Sequence, residues 1–292
     1  MLRSTLMRSL AAVALAGSGL APRPAFAHPG SGIVVDRLGR VYFVDMVSGI
    51  WRLGPGGALT HLPGAAFHWM VLDAEGRFAN ARLPSGPGWE FARIGTDPTL
   101  LLASDFPLAL GRDGTLYFPS HGGTPLEIRT FSPTGAAGVL ATLPAATPRG
   151  PLRWLNGLAA APDGALYYTE DDAIRRVGRD GRISTVVEHV SPAGCGSRAP
   201  LLRGLDVDSG GTVYVADAGC GKVLRVSALG AVTVLPQVER PWFPTGVALS
   251  GTDLYVLEFE NPETDDRAAM VPRIRKIADG GATTVVATVT RR

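Results

Sequence analysis

The chain has 292 residues, of which 37 are Gly and 23 Pro, about a fifth of the total against a usual share of roughly 12%. Its 46% hydrophobic content supports a packed core, so disorder is excluded; the Gly and Pro follow no three-residue period, so a collagen-like rod is excluded too. The formal charge is +2, all but two of the 28 basic residues (Lys222 and Lys276) are Arg, and no basic block of five or six occurs, which leaves no nucleic-acid footprint.

Residues 1–27 read as a secretory leader. Arg3 and Arg8 precede a short apolar run, 10–20, and Ala25-Phe26-Ala27 has the small-x-small pattern of a cleavage site. The run is too short for a stable membrane span, and no later segment has 18 uncharged apolar residues. The leader holds neither Cys nor a twin-Arg pair before its apolar run. A Sec-type signal, cleavage after Ala27, a periplasmic or secreted product, no membrane partner and a mature domain of 28–292 are therefore expected. Arg3, Arg8 and Arg23 leave with the leader, so the mature chain carries 25 basic and 26 acidic residues.

Cys195 and Cys220 are the only two cysteines. In an oxidising compartment they are expected to pair, closing a loop of about 25 residues worth about 3 kcal/mol.

The mature chain repeats itself. Six units align at 31–45, 68–82, 106–120, 156–170, 203–217 and 245–258, with starts separated by 37, 38, 50, 47 and 42 residues. Each unit runs apolar segment, Asp-Gly or Gly turn, apolar segment, usually with Tyr or Phe. Further short apolar stretches follow, giving about four strands per unit. A period near 40 with four strands is the mark of a propeller blade. The predicted fold is all-β, a single six-bladed β-propeller with four-stranded antiparallel blades.

The segments Asn156-Gly157 before Pro162-Asp163-Gly164-Ala165-Leu166-Tyr167-Tyr168, and Arg203-Gly204-Leu205-Asp206-Val207-Asp208 before Gly211-Thr212-Val213-Tyr214-Val215-Ala216-Asp217, resemble NHL-type six-bladed propellers. They are also similar to the regucalcin/gluconolactonase family and its strictosidine-synthase-like relatives. The resemblance covers most of 30–290. It implies the fold; blades of this kind serve hydrolases, lyases and binding proteins alike. In the regucalcin/gluconolactonase family it further implies an axial divalent cation, such as calcium, held by a Glu, an Asn of an Asn-Gly turn and an Asp. Asn156 matches the family Asn, whereas Arg203 stands at the Asp position and Ser31 at the Glu position.

Overlaying the units gives two columns at one face. The first residue of each inner strand is Ser31, His68, Phe106, Asn156, Arg203 or Thr245; the next is Gly in four of six units, which suggests crowding near the axis. The end of each second strand returns to the same face, placing Asp45, Arg82, Ser120, Glu170, Asp217 and Glu258 there. The long loops map to this face as well, with Trp89, Trp154 and Trp242, as pocket walls or as inter-blade packing. Each acid has two readings, a ligand contact or a cap on the following turn. Arg203 reads as a bidentate clamp for a carboxylate or phosphate, or as an ion pair with Asp206 or Asp217. His68 reads as a base or ligand beside Asp105 and Asn156, or as a packed histidine. His28, as the new N-terminus, could chelate copper with His68 or His121.

The expected site is thus Ser31, Asn156, Arg203, Thr245, Glu170, Asp217 and Glu258 for a ligand, with His68 and Asp105 for catalysis and Asn156 for a metal. The functions that follow are an exported, monomeric propeller binding a small molecule at this face; a lactone or ester hydrolase with a remodelled cation site; or an interaction propeller whose rim loops hold a protein.

Overall fold

A computed structural model of the protein describes residues 29–85, 90–95, 100–120, 125–144, 155–193, 195–196, 198–236, 240–260 and 266–290. The leader, His28, Trp89, His121 and Trp154 lie outside the described residues. Six antiparallel sheets are present, five of four strands and one of three, and the described residues contain one helical turn, Arg267–Ala269. Each sheet follows chain order outward from an inner strand, except the second. The protein is a six-bladed β-propeller.

Second strands are sandwiched between neighbouring blades, so they read as continuous apolar runs: all five residues of Val41–Asp45 and of Leu166–Glu170 are buried. Outermost strands, such as Ala137–Thr142 and Thr283–Thr288, are mostly exposed and polar or small. The core is inter-blade. One cluster joins residues of blades 6, 1 and 2, among them Phe43, Ile50, Leu101, Leu257 and Phe259, and others lie between successive blades.

In four blades the hairpin after the inner strand is set by Asp. Asp36, Asp113, Asp163 and Asp208 each accept a backbone N–H two residues on, at 2.8–3.0 Å. Gly164 in such a turn has φ +83, a conformation that favours glycine.

The second blade departs from expectation. Residues 77–82 form no strand; the Asp73 carboxylate accepts the N–H of Phe78 at 2.7 Å, and Arg93 Nε donates to the Phe78 carbonyl at 2.7 Å. Phe78 is fully buried among Leu100, Leu102 and Leu116. The partner of inner strand Trp69–Asp73 is instead Leu100–Ser104, which pairs in turn with Phe91–Ile94. This sheet has three strands among the described residues rather than four. Arg82 therefore does not belong to the column of second-strand ends, because a burying Phe and a turn-forming Asp outweigh the repeat's register there.

The glycine column behaves as its composition suggests. A Cβ on Gly157 would overlap the Arg203 carbonyl, one on Gly204 would lie 2.9 Å from Gly246 Cα, one on Gly246 would overlap the Ser31 carbonyl, and one on Gly32 would lie 2.9 Å from Met70 N. Inner strands of blades 4, 5, 6, 1 and 2 thus touch backbone to backbone. The ring closes without strand exchange. Thr245 Oγ1, fully buried, donates to the Gly30 carbonyl at 2.7 Å and ties the last blade to the first.

Candidate functional site

Strand register builds the face. In blade 2, Trp69 is opposite Ser104, so His68 faces Asp105 one step further. In blade 4, Gly157 is opposite Thr169, so Asn156 faces Glu170. Blade 1 sets Ser31 opposite Asp45, one step past the Gly32–Val44 backbone bond. Blades 5 and 6 carry bulges here, with Asp217 and Glu258 at the second-strand ends. Corrected for blade 2, the column reads Asp45, Asp105, Ser120, Glu170, Asp217 and Glu258, five acids in six blades.

These acids are not equivalent. Asp45 takes the Ser48 hydroxyl at 2.6 Å and the Val47 N–H at 3.2 Å. Asp217 takes the N–H groups of Leu201 and Cys220 at 2.9 and 3.1 Å through Oδ1; burial raises its pKa, and Oδ2 has no hydrogen-bond partner. Both cap the chain beside them. Glu258, fully buried, accepts Nε of Arg273 and of Arg275, each at 2.6 Å. Arg273 also stacks 4.1 Å from the Trp242 ring, so Trp242 and Glu258 serve one packed cluster. Glu170 is buried, with Arg175 Nε 3.8 Å away. Asp105 alone among the five has a half-exposed side chain, and His68 Nδ1 donates to it at 2.8 Å. That bond favours hydrogen on Nδ1 and leaves Nε2 as the basic nitrogen.

Arg203 lies across the axis from His68, three blades on. Its backbone is held by Thr169 Oγ1, which donates to the Arg203 carbonyl at 3.0 Å. Its Nε is enclosed and has no hydrogen-bond partner, and among the described residues no carboxylate pairs with it. Neither Asp206 nor Asp217 is its partner. Burial alone lowers its pKa to about 10, so it stays charged at neutral pH. Asn156 donates its backbone N–H to Thr169. Among the described residues no hydrogen bond or ion pair joins His68, Asn156 and Arg203 to one another. Ser31 Oγ is buried without a partner, and Thr245 spends its hydroxyl on ring closure. Cys195 and Cys220 form a disulfide, Cα–Cα 4.9 Å, bracing the loop before the fifth inner strand against the hairpin that Asp217 caps.

Below this face runs an axial channel of about 240 Å³. Of the first-column residues only Ser31 lines it. The fourth residues of the inner strands do: Val34, Val71, Ala109, Ala159, Asp206 and Ala248. Asp206 is the one ionisable side chain in that lining. Its carboxylate accepts Val207 N–H and Leu249 N–H, both at 2.8 Å, and burial raises its pKa to about 6. Sequence reading passed it over, although an Asp in a column otherwise of Val and Ala was the signal.

The axial cation implied by the resemblance does not fit these residues. Its donor set reduces to the Asn156 amide, a Ser31 hydroxyl and the Arg203 guanidinium, whose charge repels a cation. Among the described residues no group of three or more His, Cys, Asp or Glu gathers to hold a metal.

No protein-family model and no curated protein matches the chain. Solved structures do. A virginiamycin B lyase from Staphylococcus aureus is similar at TM-score 0.54 and 16% identity, over 91% of this chain and 86% of the lyase. A gluconolactonase from Xanthomonas campestris is similar at TM-score 0.54 and 15% identity, over 79% and 83%. A calcium-binding regucalcin from Agrobacterium tumefaciens is similar at TM-score 0.52 and 17% identity, over 82% and 85%. At these identities the likeness speaks for architecture, and the chain shares the six-bladed β-propeller fold of the lyase, the gluconolactonase and the regucalcin.

Proposed function

We propose that this protein is an exported propeller that binds a small anionic molecule at the face where its inner strands begin, with Arg203 as the anion clamp. The observation that carries this reading is the Arg203 guanidinium, enclosed at Nε and without a carboxylate partner among the described residues. An unpaired, partly buried cation is costly, and an incoming carboxylate or phosphate relieves that cost through charge-assisted, bidentate bonds. Asn156, first in the neighbouring inner strand, offers a neutral amide to the same ligand. Titration calorimetry with gluconate, benzoate and inorganic phosphate tests this. At least one is expected to bind wild type and to lose binding in Arg203→Ala. Affinity unchanged by that substitution sinks the reading.

A second reading, hydrolase or lyase, is favoured by the His68–Asp105 pair. A histidine-to-alanine variant of the virginiamycin B lyase is catalytically inactive, and the gluconolactonase shares the fold. Here His68, held by Asp105, would act as a general base, either on a water that attacks a lactone or ester carbonyl or on a proton beside a leaving group. Turnover of a lactone and ester panel that disappears in His68→Ala and falls in Asp105→Asn supports it; no turnover by wild type removes it.

A further inference from the structure

We propose that the axial channel beneath the face is a second binding site, for a small organic ammonium ion, with Asp206 as its counter-ion. The channel, about 240 Å³, is smaller than the roughly 300–1,000 Å³ of drug-sized ligand pockets, so its occupant has few heavy atoms. Its wall mixes the apolar side chains of Val34, Val71, Ala109, Ala159 and Ala248 with polar groups, which suits a short hydrocarbon body with one polar end.

Asp206 supplies the specificity. Its oxygens take one backbone N–H each, from Val207 and Leu249, while an ionised carboxylate has about four acceptor sites. Among the described residues no cation is seen to act on it. The inner strand of blade 4 presents Leu158, Ala159 and Ala160 to the channel, that of blade 6 presents Val247, Ala248 and Leu249, and within its own blade Asp206 is in register with Tyr214. Asp208, which is also negative, acts on it electrostatically. A second feature points the same way: Ser31 Oγ, on a residue only 4% exposed, lines the channel and lacks a hydrogen-bond partner. An ammonium has three N–H donors, which suit the acceptor sites that the Asp206 oxygens have left, while Ser31 offers its hydroxyl nearer the face in the same channel. An anion is repelled by Asp206. Among the described residues no second carboxylate, His or Cys joins Asp206 in a group that could hold a metal ion.

Burial, with Asp208 adding to it, raises the Asp206 pKa to about 6, so the counter-charge is present at pH 8 and mostly gone at pH 5. The test is calorimetric titration of the purified protein with n-butylammonium chloride, with 1-butanol as the neutral analogue and sodium butyrate as the anionic one. Butylammonium is expected to bind at pH 8, to bind about tenfold more weakly at pH 5, and to bind at least tenfold more weakly to Asp206→Asn. Butanol is expected to ignore the substitution, and butyrate to give no channel binding. The proposal is overturned by absent butylammonium binding at pH 8, by equal affinity at the two pH values, or by undiminished affinity in Asp206→Asn. If the variant fails to fold, the wild-type pH pair decides.

Discussion

Gly246 meets the carbonyl of Ser31 so closely that a Cβ at position 246 would overlap the oxygen. Blade 6 and blade 1 are the two ends of the chain, so this contact is where the ring closes. Gly246→Ala must push the inner strands apart or bend them. It is expected to lower stability by about 1–3 kcal/mol. Gly280→Ala, at an exposed turn with open space around it, is expected to stay within about 0.5 kcal/mol. Urea unfolding of both variants checks the difference; equal midpoints would mean that the ring tolerates a side chain at its seam.

Glu258 sits fully buried between Arg273 and Arg275. Glu258→Gln leaves two guanidiniums without their counter-charge, a loss of about 3–5 kcal/mol for a broken buried pair. Glu127→Gln, two residues along the same strand from the more exposed Arg129 that it pairs with, is expected to cost under about 1 kcal/mol. Chemical denaturation of the two variants measures the contrast, and a small effect at 258 would contradict the cluster.

Asp206 should give a recognisable pH dependence of stability. Its folded pKa is about 6, raised from 3.8, so between about pH 4 and pH 6 the native state binds more protons than the unfolded chain. Its contribution is full below the unfolded pKa and is lost as pH rises through the folded one, by roughly 3 kcal/mol at most. Wild-type stability is expected to fall more steeply than that of Asp206→Asn from pH 4 to pH 7. Parallel curves would refute a raised pKa at this site.

Reduction should loosen one rim loop. The Cys195–Cys220 bridge spans 25 residues, and opening it is expected to cost about 3 kcal/mol. Unfolding with and without a phosphine reductant, monitored by thiol titration, reads this directly. No free thiol is expected before reduction.

The repeat was legible because each blade solves the same packing problem: a strand buried between neighbours must be apolar, and its hairpin needs Asp and Gly. Asp163 with Gly164, and Gly157 beside Arg203, therefore carry their roles in the sequence itself. Blade 2 was misaligned because 77–82 imitates the pattern, with Gly76 then Phe78, while the Asp73–Phe78 bond turns that stretch into a plug. Asp105, which accepts from His68, therefore stands in the acidic column where the repeat's register alone puts Arg82.

The sequence alone determined the number of blades, the turn chemistry, the glycine seam and the candidate disulfide, because those depend on local pattern and composition. Only the tertiary structure decided which polar groups have partners. Glu258 and Asp217 look alike in the column, yet one is held by two arginines and the other caps a loop, while Arg203 has no carboxylate partner among the described residues. Asp206, one of many Asp in the sequence, became the one ionisable side chain lining the axial channel. Partnership and desolvation are set by residues from other blades, far apart along the chain, and that proximity exists only once the ring has closed.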